Sequence, residues 1–133
     1  MMHVRPDRCT ACRNCEFACS FSHLIEGKPA GARIKAVMDP ERRENRNSVV
    51  VCFQCDSAAC VAACPARALW RDVASGAINH VLERCIRCAS CVAACPFGNM
   101  RWEALNAYPS KCDLCRGDPV CVRFCPTAAI EYR

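Results

Sequence analysis

The sequence predicts an α+β fold in which a short strand, a cysteine-rich loop and a helical turn repeat four times. Cysteine supplies the first reason, because 16 of the 133 residues are cysteine, far above ordinary usage. The second reason is that these cysteines form four groups with similar internal spacing. The third is that β-branched or alternating segments, each long enough for only one short strand, stand between the groups.

Around the first cysteine group, the predicted elements are a helical turn, a reverse turn and one strand. The helical turn ends at Cys19, which is followed by Ser20 where the other three groups have proline. Since proline fixes φ and ends a helical turn, this corner is expected to be more adaptable. Residues 27–31 predict a turn, and the polar–apolar alternation of residues 32–37 predicts a half-exposed strand. The charged residues 39–47 predict a loop, either a solvated connector or a surface that docks a partner.

The later elements frame the other three groups. β-branched residues predict a strand that enters the second group, and turn residues predict a hairpin between the second and third groups. An insert containing glycine and proline predicts a tight turn before the third cysteine of the last group. In chain order these segments are a strand at 49–51, a hairpin of strands 66–70 and 77–81 turning at 75–76, a loop or short strand at 97–102, the tight turn at 116–120 and a strand at 127–132.

The third cysteine group has the spacing of a specific metal-ligand motif. Residues 85–96 follow the pattern C-x2-C-x2-C-x3-C-P, a run that iron–sulfur proteins use. Its loop can turn three thiolates toward one cluster, whereas the fourth cysteine points away and, in two-cluster ferredoxins, ligates the other cluster. The first group has the same spacing without the proline, and the second and fourth groups differ only in a longer interval before the third cysteine. The candidate ligands are Cys9, Cys12, Cys15 and Cys19; Cys52, Cys55, Cys60 and Cys64; Cys85, Cys88, Cys91 and Cys95; and Cys112, Cys115, Cys121 and Cys125.

Sixteen thiolates match the ligand requirement of four [4Fe–4S] clusters, with none left over. No group has lost a cysteine, so the sequence predicts no open iron position for a substrate. The chain is therefore predicted to transfer electrons and not to be an enzyme. The alternatives are a disulfide scaffold and a set of four-cysteine zinc sites. A disulfide scaffold gives no reason for four repeats of one spacing, and zinc sites do not need the Cys-Pro that ends three groups.

Charge and hydropathy limit the partners. The formal net charge is +5, and four oxidised clusters with their thiolates, at roughly −2 each, would bring it to about −3. The arginine excess is interpreted as compensation for the clusters and as docking charge; nucleic-acid binding is not predicted, because aromatic residues are few and are not interleaved with basic ones. No apolar run reaches transmembrane length, so direct membrane insertion is not predicted. Without an apolar signal segment before the first group, the predicted location is the cytoplasm, with export alongside a signal-bearing partner as the alternative.

The order of the four groups resembles that of the four-cluster iron–sulfur subunits of molybdenum and tungsten oxidoreductases over nearly the whole chain. Residues 19–23, Cys-Ser-Phe-Ser-His, and the ending around residues 112–121 are most similar to the small iron–sulfur subunit of tungsten aldehyde oxidoreductases. This resemblance implies two intertwined bacterial 2[4Fe–4S] ferredoxin-like modules. One would contain residues 1–47 and 99–133, with the first and fourth groups, and the other residues 48–98, with the second and third groups.

The resemblance also implies which cysteines share a cluster. In that family the first group pairs with the fourth and the second with the third, and each fourth cysteine crosses to the paired group. Spacing alone would also permit the first group to pair with the second and the third with the fourth. The implied ligand sets are Cys9, Cys12 and Cys15 with Cys125; Cys112, Cys115 and Cys121 with Cys19; Cys52, Cys55 and Cys60 with Cys95; and Cys85, Cys88 and Cys91 with Cys64.

The function that the resemblance implies is the relay of single electrons through four [4Fe–4S] clusters. One partner would be a large catalytic subunit with a tungsten or molybdenum cofactor, most closely an aldehyde oxidoreductase, and the other a second redox protein such as a flavoprotein. The alternative catalytic partners are of the dimethyl sulfoxide reductase, formate dehydrogenase or carbon monoxide dehydrogenase type. A free polyferredoxin and, more remotely, a structural zinc protein are two further interpretations of the same sequence. Self-association into an extended chain of clusters is an additional hypothesis.

Overall fold

The computed structural model describes residues 1–41 and 47–133. Residues 42–46, which form most of the predicted charged loop, lie outside the described residues. Within the described ranges, the regular elements in chain order are β1 (Met2–Val4), α1 (Asn14–Ser22), β2 (Leu24–Ile25), β3 (Lys28–Pro29), β4 (Ile34–Val37), β5 (Ser48–Val51), α2 (Ala59–Ala62), β6 (Leu69–Arg71), β7 (Ile78–His80), α3 (Ser90–Ala94), β8 (Arg101–Glu103), β9 (Tyr108–Ser110), α4 (Val120–Arg123) and β10 (Ile130–Tyr132). Short 3-10 turns cover Pro6–Arg8, Leu82–Arg84 and Leu114–Gly117.

The strands pair as antiparallel two-stranded sheets: β1 with β10, β2 with β3, β4 with β5, β6 with β7, and β8 with β9. Across residues 1–41 and 47–133, no helix combines the length and the apolar composition that crossing a membrane requires. The chain divides into two compact units, one containing Met1–Val51 and Pro119–Arg133 and the other containing Cys52–Asp118. The mixture of helices and strands predicted from the sequence is present in both units.

In the described part of the first unit there are three two-stranded sheets, and two of them, β1–β10 and β4–β5, supply buried side chains to its core. β1 and β10 join the two ends of the chain, with Met2 opposite Tyr132. β4 and β5 pair from Ile34 opposite Val51 onward, and alternate residues of both strands are buried, as expected of strands with one face toward a core. Ile34 and Ile130 are almost fully buried. The strands predicted on either side of the charged loop are confirmed.

Helix α1 is nine residues long, whereas α2, α3 and α4 have only four or five. Proline explains the difference. In the other three groups, the proline after the fourth cysteine disfavours helical backbone at the residue before it, so the helix ends there or earlier. Ser20 imposes no such restriction, and α1 continues past Cys19 to Ser22. The Ser20 hydroxyl also donates a hydrogen bond to the carbonyl of Ala30, so this corner is an extended helix tied to the segment that follows.

The second unit is built from two hairpins, β6–β7 and β8–β9, around a small core. Leu69, Ile78, Cys91 and Met100 form the buried centre of this core. Partly buried cysteines from the second and third groups pack against it, namely Cys60, Cys64 and Cys95. Cysteine side chains therefore make up part of the interior, and groups bound to them would extend it.

The predicted strands that follow Cys64 and Cys125 each begin three residues later than expected, at Leu69 and Ile130. In both places the backbone first makes a turn, in which the N–H of the third residue after the cysteine donates to the cysteine carbonyl. The first residues of each predicted strand lie in this turn, so the strand begins only after it. The other predicted strands are present.

The compact units do not end where the predicted modules end. Residues 48–51, which the resemblance assigned to the second module, lie in the first unit, and residues 99–118, which it assigned to the first module, lie in the second unit. Met100 belongs to the core of that unit, and the Lys111 ammonium donates to the carbonyl of Ile78, which accounts for their position. A compact unit and a shared cluster need not coincide, so the assignment of cysteine groups to modules stays a prediction.

Candidate iron–sulfur sites

The cysteine loops share a backbone conformation that suits an anion. In every loop the residue before the second cysteine has a positive φ, and in three loops the residue after it does as well. Backbone turns that contain a left-handed residue point successive N–H groups into one concavity, and such concavities occur at many phosphate and iron–sulfur sites. A cluster with four thiolate ligands is an anion, so these loops fit it. The left-handed residues are Ala11, Gln54, Arg87 and Leu114 before the second cysteine, and Arg13, Ala89 and Arg116 after it.

The turn after each Cys-Pro aims backbone N–H groups at the fourth cysteine of the group. The N–H of Ala68 donates to Cys64 Sγ at 3.3 Å, and the N–H of Ala129 donates to Cys125 Sγ at 3.2 Å. Burial would raise the pKa of Cys125, but the Ala129 N–H and other donors outweigh it and hold the pKa below its usual value. Hydrogen bonds to the sulfur stabilise the thiolate, which is the form that binds iron.

Cys95 has the same kind of environment, and its donors include the N–H of Asn99, which stands four residues after it as Ala68 and Ala129 do after Cys64 and Cys125. Burial opposes ionisation of this thiol, yet the N–H groups of residues 97–100 lower its pKa. In the first group, where proline is absent, the donor comes from farther along the chain: the N–H of Arg33 donates to Cys19 Sγ at 3.3 Å. The fourth cysteine of each group therefore has nearby backbone donors, although the first group obtains them by a different route.

In the first unit, Cys9, Cys12 and Cys15 line a cavity together with Cys125. The rest of the lining includes apolar side chains from β4, β5 and β10. Burial raises the pKa of Cys15 to about 11, although the Glu16 N–H opposes this shift, and negative charge at Cys12 and Cys125 contributes to it. Three thiols of the first group thus face the last thiol of the fourth group across one cavity.

In the second unit, Cys85, Cys88 and Cys91 line a cavity together with Cys64. Its remaining walls are mostly apolar and include side chains of β6 and β9. Burial raises the pKa of Cys91 to about 11, opposed by backbone N–H groups, and negative charge at Cys64 and Cys85 adds to the shift. The third group therefore faces the fourth cysteine of the second group.

Cys60 of the second group lies near Cys95 within the second unit, since both pack against the core of Leu69, Ile78, Cys91 and Met100. Burial raises the pKa of Cys60, the positive charge of Lys111 lowers it, and negative charge at Cys52 and Cys95 raises it further. The loop that carries Cys55 is held by arginine, since Arg71 donates to the carbonyls of Gln54 and Cys55.

The remaining predicted ligands belong to both units: Cys112 and Cys115 lie in the second, and Cys19 and Cys121 in the first. Within the first unit, α1 packs against α4, the helices that carry Cys19 and Cys121. Cys112 Sγ accepts the N–H of Leu114 at 3.5 Å. The shared ligand set of these four cysteines stays a prediction.

Several described side chains near the thiols were not among the predicted site residues, including Thr127, whose Oγ1 lies 3.8 Å from Cys125 Sγ. His23 Nδ1 lies 3.8 Å from Cys19 Sγ and 2.8 Å from the Cys19 carbonyl oxygen; the separation of four residues, which places two side chains on one helix face, is the signal that could have indicated it. Lys111, which is buried, and Gln54, which is half-buried, form a hydrogen-bond network beside the second and fourth groups. No sequence pattern marks them except their position next to or inside a cysteine loop.

The loops and thiol sets define a protein that binds iron–sulfur clusters, and comparison with known proteins agrees. A 4Fe-4S dicluster domain family profile matches residues 46–133, and a 4Fe-4S binding domain profile matches residues 6–22. The chain belongs to the 4Fe-4S dicluster domain family. The prediction of [4Fe–4S] clusters is therefore confirmed.

Relatives extend this likeness to nearly the whole chain. The aliphatic sulfonate oxidoreductase, polyferredoxin-like subunit of Pyrococcus furiosus is 39% identical over 125 residues, which cover 94% of this chain and 70% of that protein. The electron transport protein HydN of Escherichia coli K12 is 35% identical over 145 residues, covering 92% of this chain and 81% of that protein. The solved active site complex BamBC of benzoyl coenzyme A reductase with benzoyl-CoA contains a similar chain, with a TM-score of 0.54, 25% identity and coverage of 98% of this chain and 76% of that one. The predicted class, an electron-transfer iron–sulfur protein related to oxidoreductase subunits, is confirmed at this level.

Proposed function

We propose that this protein is a non-catalytic subunit that relays single electrons through four [4Fe–4S] clusters. It would connect a large catalytic subunit holding a tungsten or molybdenum cofactor, an aldehyde oxidoreductase, with a second redox partner such as a flavoprotein. When bound, each cluster supplies a one-electron redox step. The chain's own residues supply the ligands, the N–H donors and the apolar walls around them.

The observation that carries this proposal is the crossed arrangement of thiols. The cavity of Cys9, Cys12 and Cys15 contains Cys125, and the cavity of Cys85, Cys88 and Cys91 contains Cys64. Each cavity thus offers three thiols of one group and the fourth thiol of another, as two-cluster ferredoxins do. The interaction of Cys60 with Cys52 and Cys95 supports the corresponding set. We extend the same pattern to Cys112, Cys115 and Cys121 with Cys19.

The proposed lack of catalysis follows from the ligand count. If every cluster has four thiolates, no iron has an open position at which a substrate could bind. Substrates of the catalytic subunit lose or gain two electrons in one reaction, whereas a chain with several one-electron centres can hold both and release them singly. This is the use that we propose for four clusters in one small protein.

Analysis of iron and acid-labile sulfide in the anaerobically purified protein tests the proposal. We expect about 16 of each per chain, because four [4Fe–4S] clusters contain that number. Fewer than about eight irons, or zinc in their place, would contradict it. The purified chain is expected to show no turnover of aldehydes by itself, and turnover without a partner would also overturn the proposal.

A second candidate partner is a catalytic subunit that acts on an aliphatic sulfonate, which the name and 39% identity of the Pyrococcus relative favour. The experiment that separates the two begins with the large subunit that copurifies from native lysate under anaerobic conditions. Its metal content should show tungsten or molybdenum. Visible bleaching of the clusters on addition of an aldehyde, but not of an alkanesulfonate, would support the first partner, and the opposite result would support the second.

A further inference from the structure

Lys111 is a buried cation between two cysteine groups. It follows β9, directly precedes Cys112 and is only 4% exposed. Among the described residues, no other Lys, Arg, Asp or Glu side chain is buried to this degree. Burial of an ammonium group is costly unless it is paired and hydrogen-bonded. The cost of burying the Lys111 ammonium must therefore be offset by hydrogen bonds and by nearby negative charge.

The hydrogen bonds of Lys111 fit the charged form of the side chain. Its Nζ donates to the carbonyls of Ile78 and Cys112 and to Gln54 Oε1, the last at 3.1 Å. An ammonium group has three donors, and three acceptors surround this one.

Gln54 connects this cation to the second cysteine group. It lies in the loop between Cys52 and Cys55, its Nε2 donates to the Cys112 carbonyl at 2.8 Å, and its Oε1 accepts the N–H of Ile78 at 2.9 Å. Hydrogen bonds thus fix both the Nε2 and the Oε1 atom of Gln54, and the bond from Lys111 Nζ to this Oε1 keeps the ammonium beside the cysteine loop. The position of the Lys111 ammonium is therefore fixed by three hydrogen bonds inside the protein.

Among the residues that the structure describes, no buried lysine or arginine comparable to Lys111 accompanies the third cysteine group. Among the described residues that line the cavity of Cys64, Cys85, Cys88 and Cys91, there is no lysine and no arginine. Arg87 lies in that cysteine loop but is exposed. Solvent and salt screen an exposed charge strongly and a buried charge much less.

We propose that Lys111 is a fixed internal cation that raises the reduction potential of the cluster bound by Cys52, Cys55, Cys60 and Cys95 above that of the cluster bound by Cys64, Cys85, Cys88 and Cys91. A reduced cluster has one more negative charge than an oxidised one, so a nearby buried positive charge favours the reduced form. Electrons then reside on the first of these clusters before the second. The inference rests on the proposed function, since it presupposes cluster binding by these cysteines. The cluster ligated by Cys112 is expected to shift in the same direction.

The test is an anaerobic redox titration of the holoprotein, followed by electron paramagnetic resonance. Lys111→Met removes the charge, Lys111→Gln removes the charge but keeps hydrogen-bond donors, and Lys111→Arg keeps the charge. Lys28→Met, an exposed lysine in β3, is the matched control. Cys60→Ser assigns the signal, because it should alter the same cluster that Lys111 affects.

In Lys111→Met and Lys111→Gln we expect the reduction equilibrium of one or two clusters to become at least about tenfold less favourable, which is about 59 mV for a one-electron couple. Lys111→Arg and Lys28→Met should keep the wild-type potentials. Unchanged reduction potentials in Lys111→Met and Lys111→Gln would overturn the proposal. A lower potential in Lys111→Met together with a wild-type potential in Lys111→Gln would also overturn it, because the effect would then come from hydrogen bonding and not from charge. Loss of clusters from all three Lys111 variants would assign the residue to folding and overturn it too. Wild-type protein without four clusters would instead refute the proposed function, before any variant is compared.

Discussion

Replacing Ser20 by proline tests the explanation for the length of α1. Ser20 lies inside α1, and in an α-helix its N–H faces the carbonyl four residues earlier, that of Glu16. Proline removes this donor, and its ring collides with the same carbonyl, at a cost of about 3 kcal/mol. The hydrogen bond from the Ser20 hydroxyl to Ala30 is also lost, at about 1 kcal/mol.

The expected loss is therefore about 4 kcal/mol, a large part of the roughly 5–15 kcal/mol that stabilises an ordinary domain. Ser20→Ala is the control, because it removes only the hydroxyl and should cost about 1 kcal/mol. The assay is anaerobic urea denaturation of the holoprotein, followed by circular dichroism and by the visible absorbance of the clusters. If Ser20→Pro is as stable as Ser20→Ala, the continuation of α1 past Cys19 does not contribute to the stability of the protein. That result would refute the explanation given for the length of α1.

Two further predictions concern the cysteine groups. Cys95→Ala should destroy or convert only the cluster bound by Cys52, Cys55 and Cys60. The double variant Cys95→Ala/Cys55→Ala should therefore lose the iron and sulfide of one cluster, whereas Cys95→Ala/Cys88→Ala should lose those of two clusters. The reverse pattern would disprove the crossed pairing. Gly98→Ala should lower stability by only about 1 kcal/mol and leave the cluster content unchanged, because Gly98 has φ +63° with no atom within 4 Å of an added Cβ, and a left-handed residue costs about 1–2 kcal/mol. The position equivalent to Gly98 in the last group is Ala128, with φ +50°, so alanine is compatible with this turn. Loss of a cluster in Gly98→Ala would contradict the prediction and show that the turn after Cys95 requires glycine.

Much of the local structure could be predicted from the sequence because it depends on neighbouring residues. A spacing of two residues between cysteines restricts the loop that joins them, and proline after the last cysteine ends the helix. β-branched and alternating segments similarly predicted the strands of the β4–β5 pair. The delayed starts of β6 and β10 were missed, because the N–H groups that delay them are directed to a sulfur and to a carbonyl of the cysteine itself. Hydropathy carries no information about that contact.

The sequence by itself determined that the cysteines are arranged for [4Fe–4S] clusters, because ligand number and loop spacing are local properties. It left open which groups face each other, since spacing permits both a crossed and a sequential pairing. Only the tertiary structure brings Cys125 to the cavity of Cys9, Cys12 and Cys15, more than a hundred residues away along the chain. It alone also buries Lys111 and brings its ammonium within hydrogen-bond distance of Gln54. Both depend on how distant segments pack, and packing is a property of the whole fold that no single stretch of residues encodes.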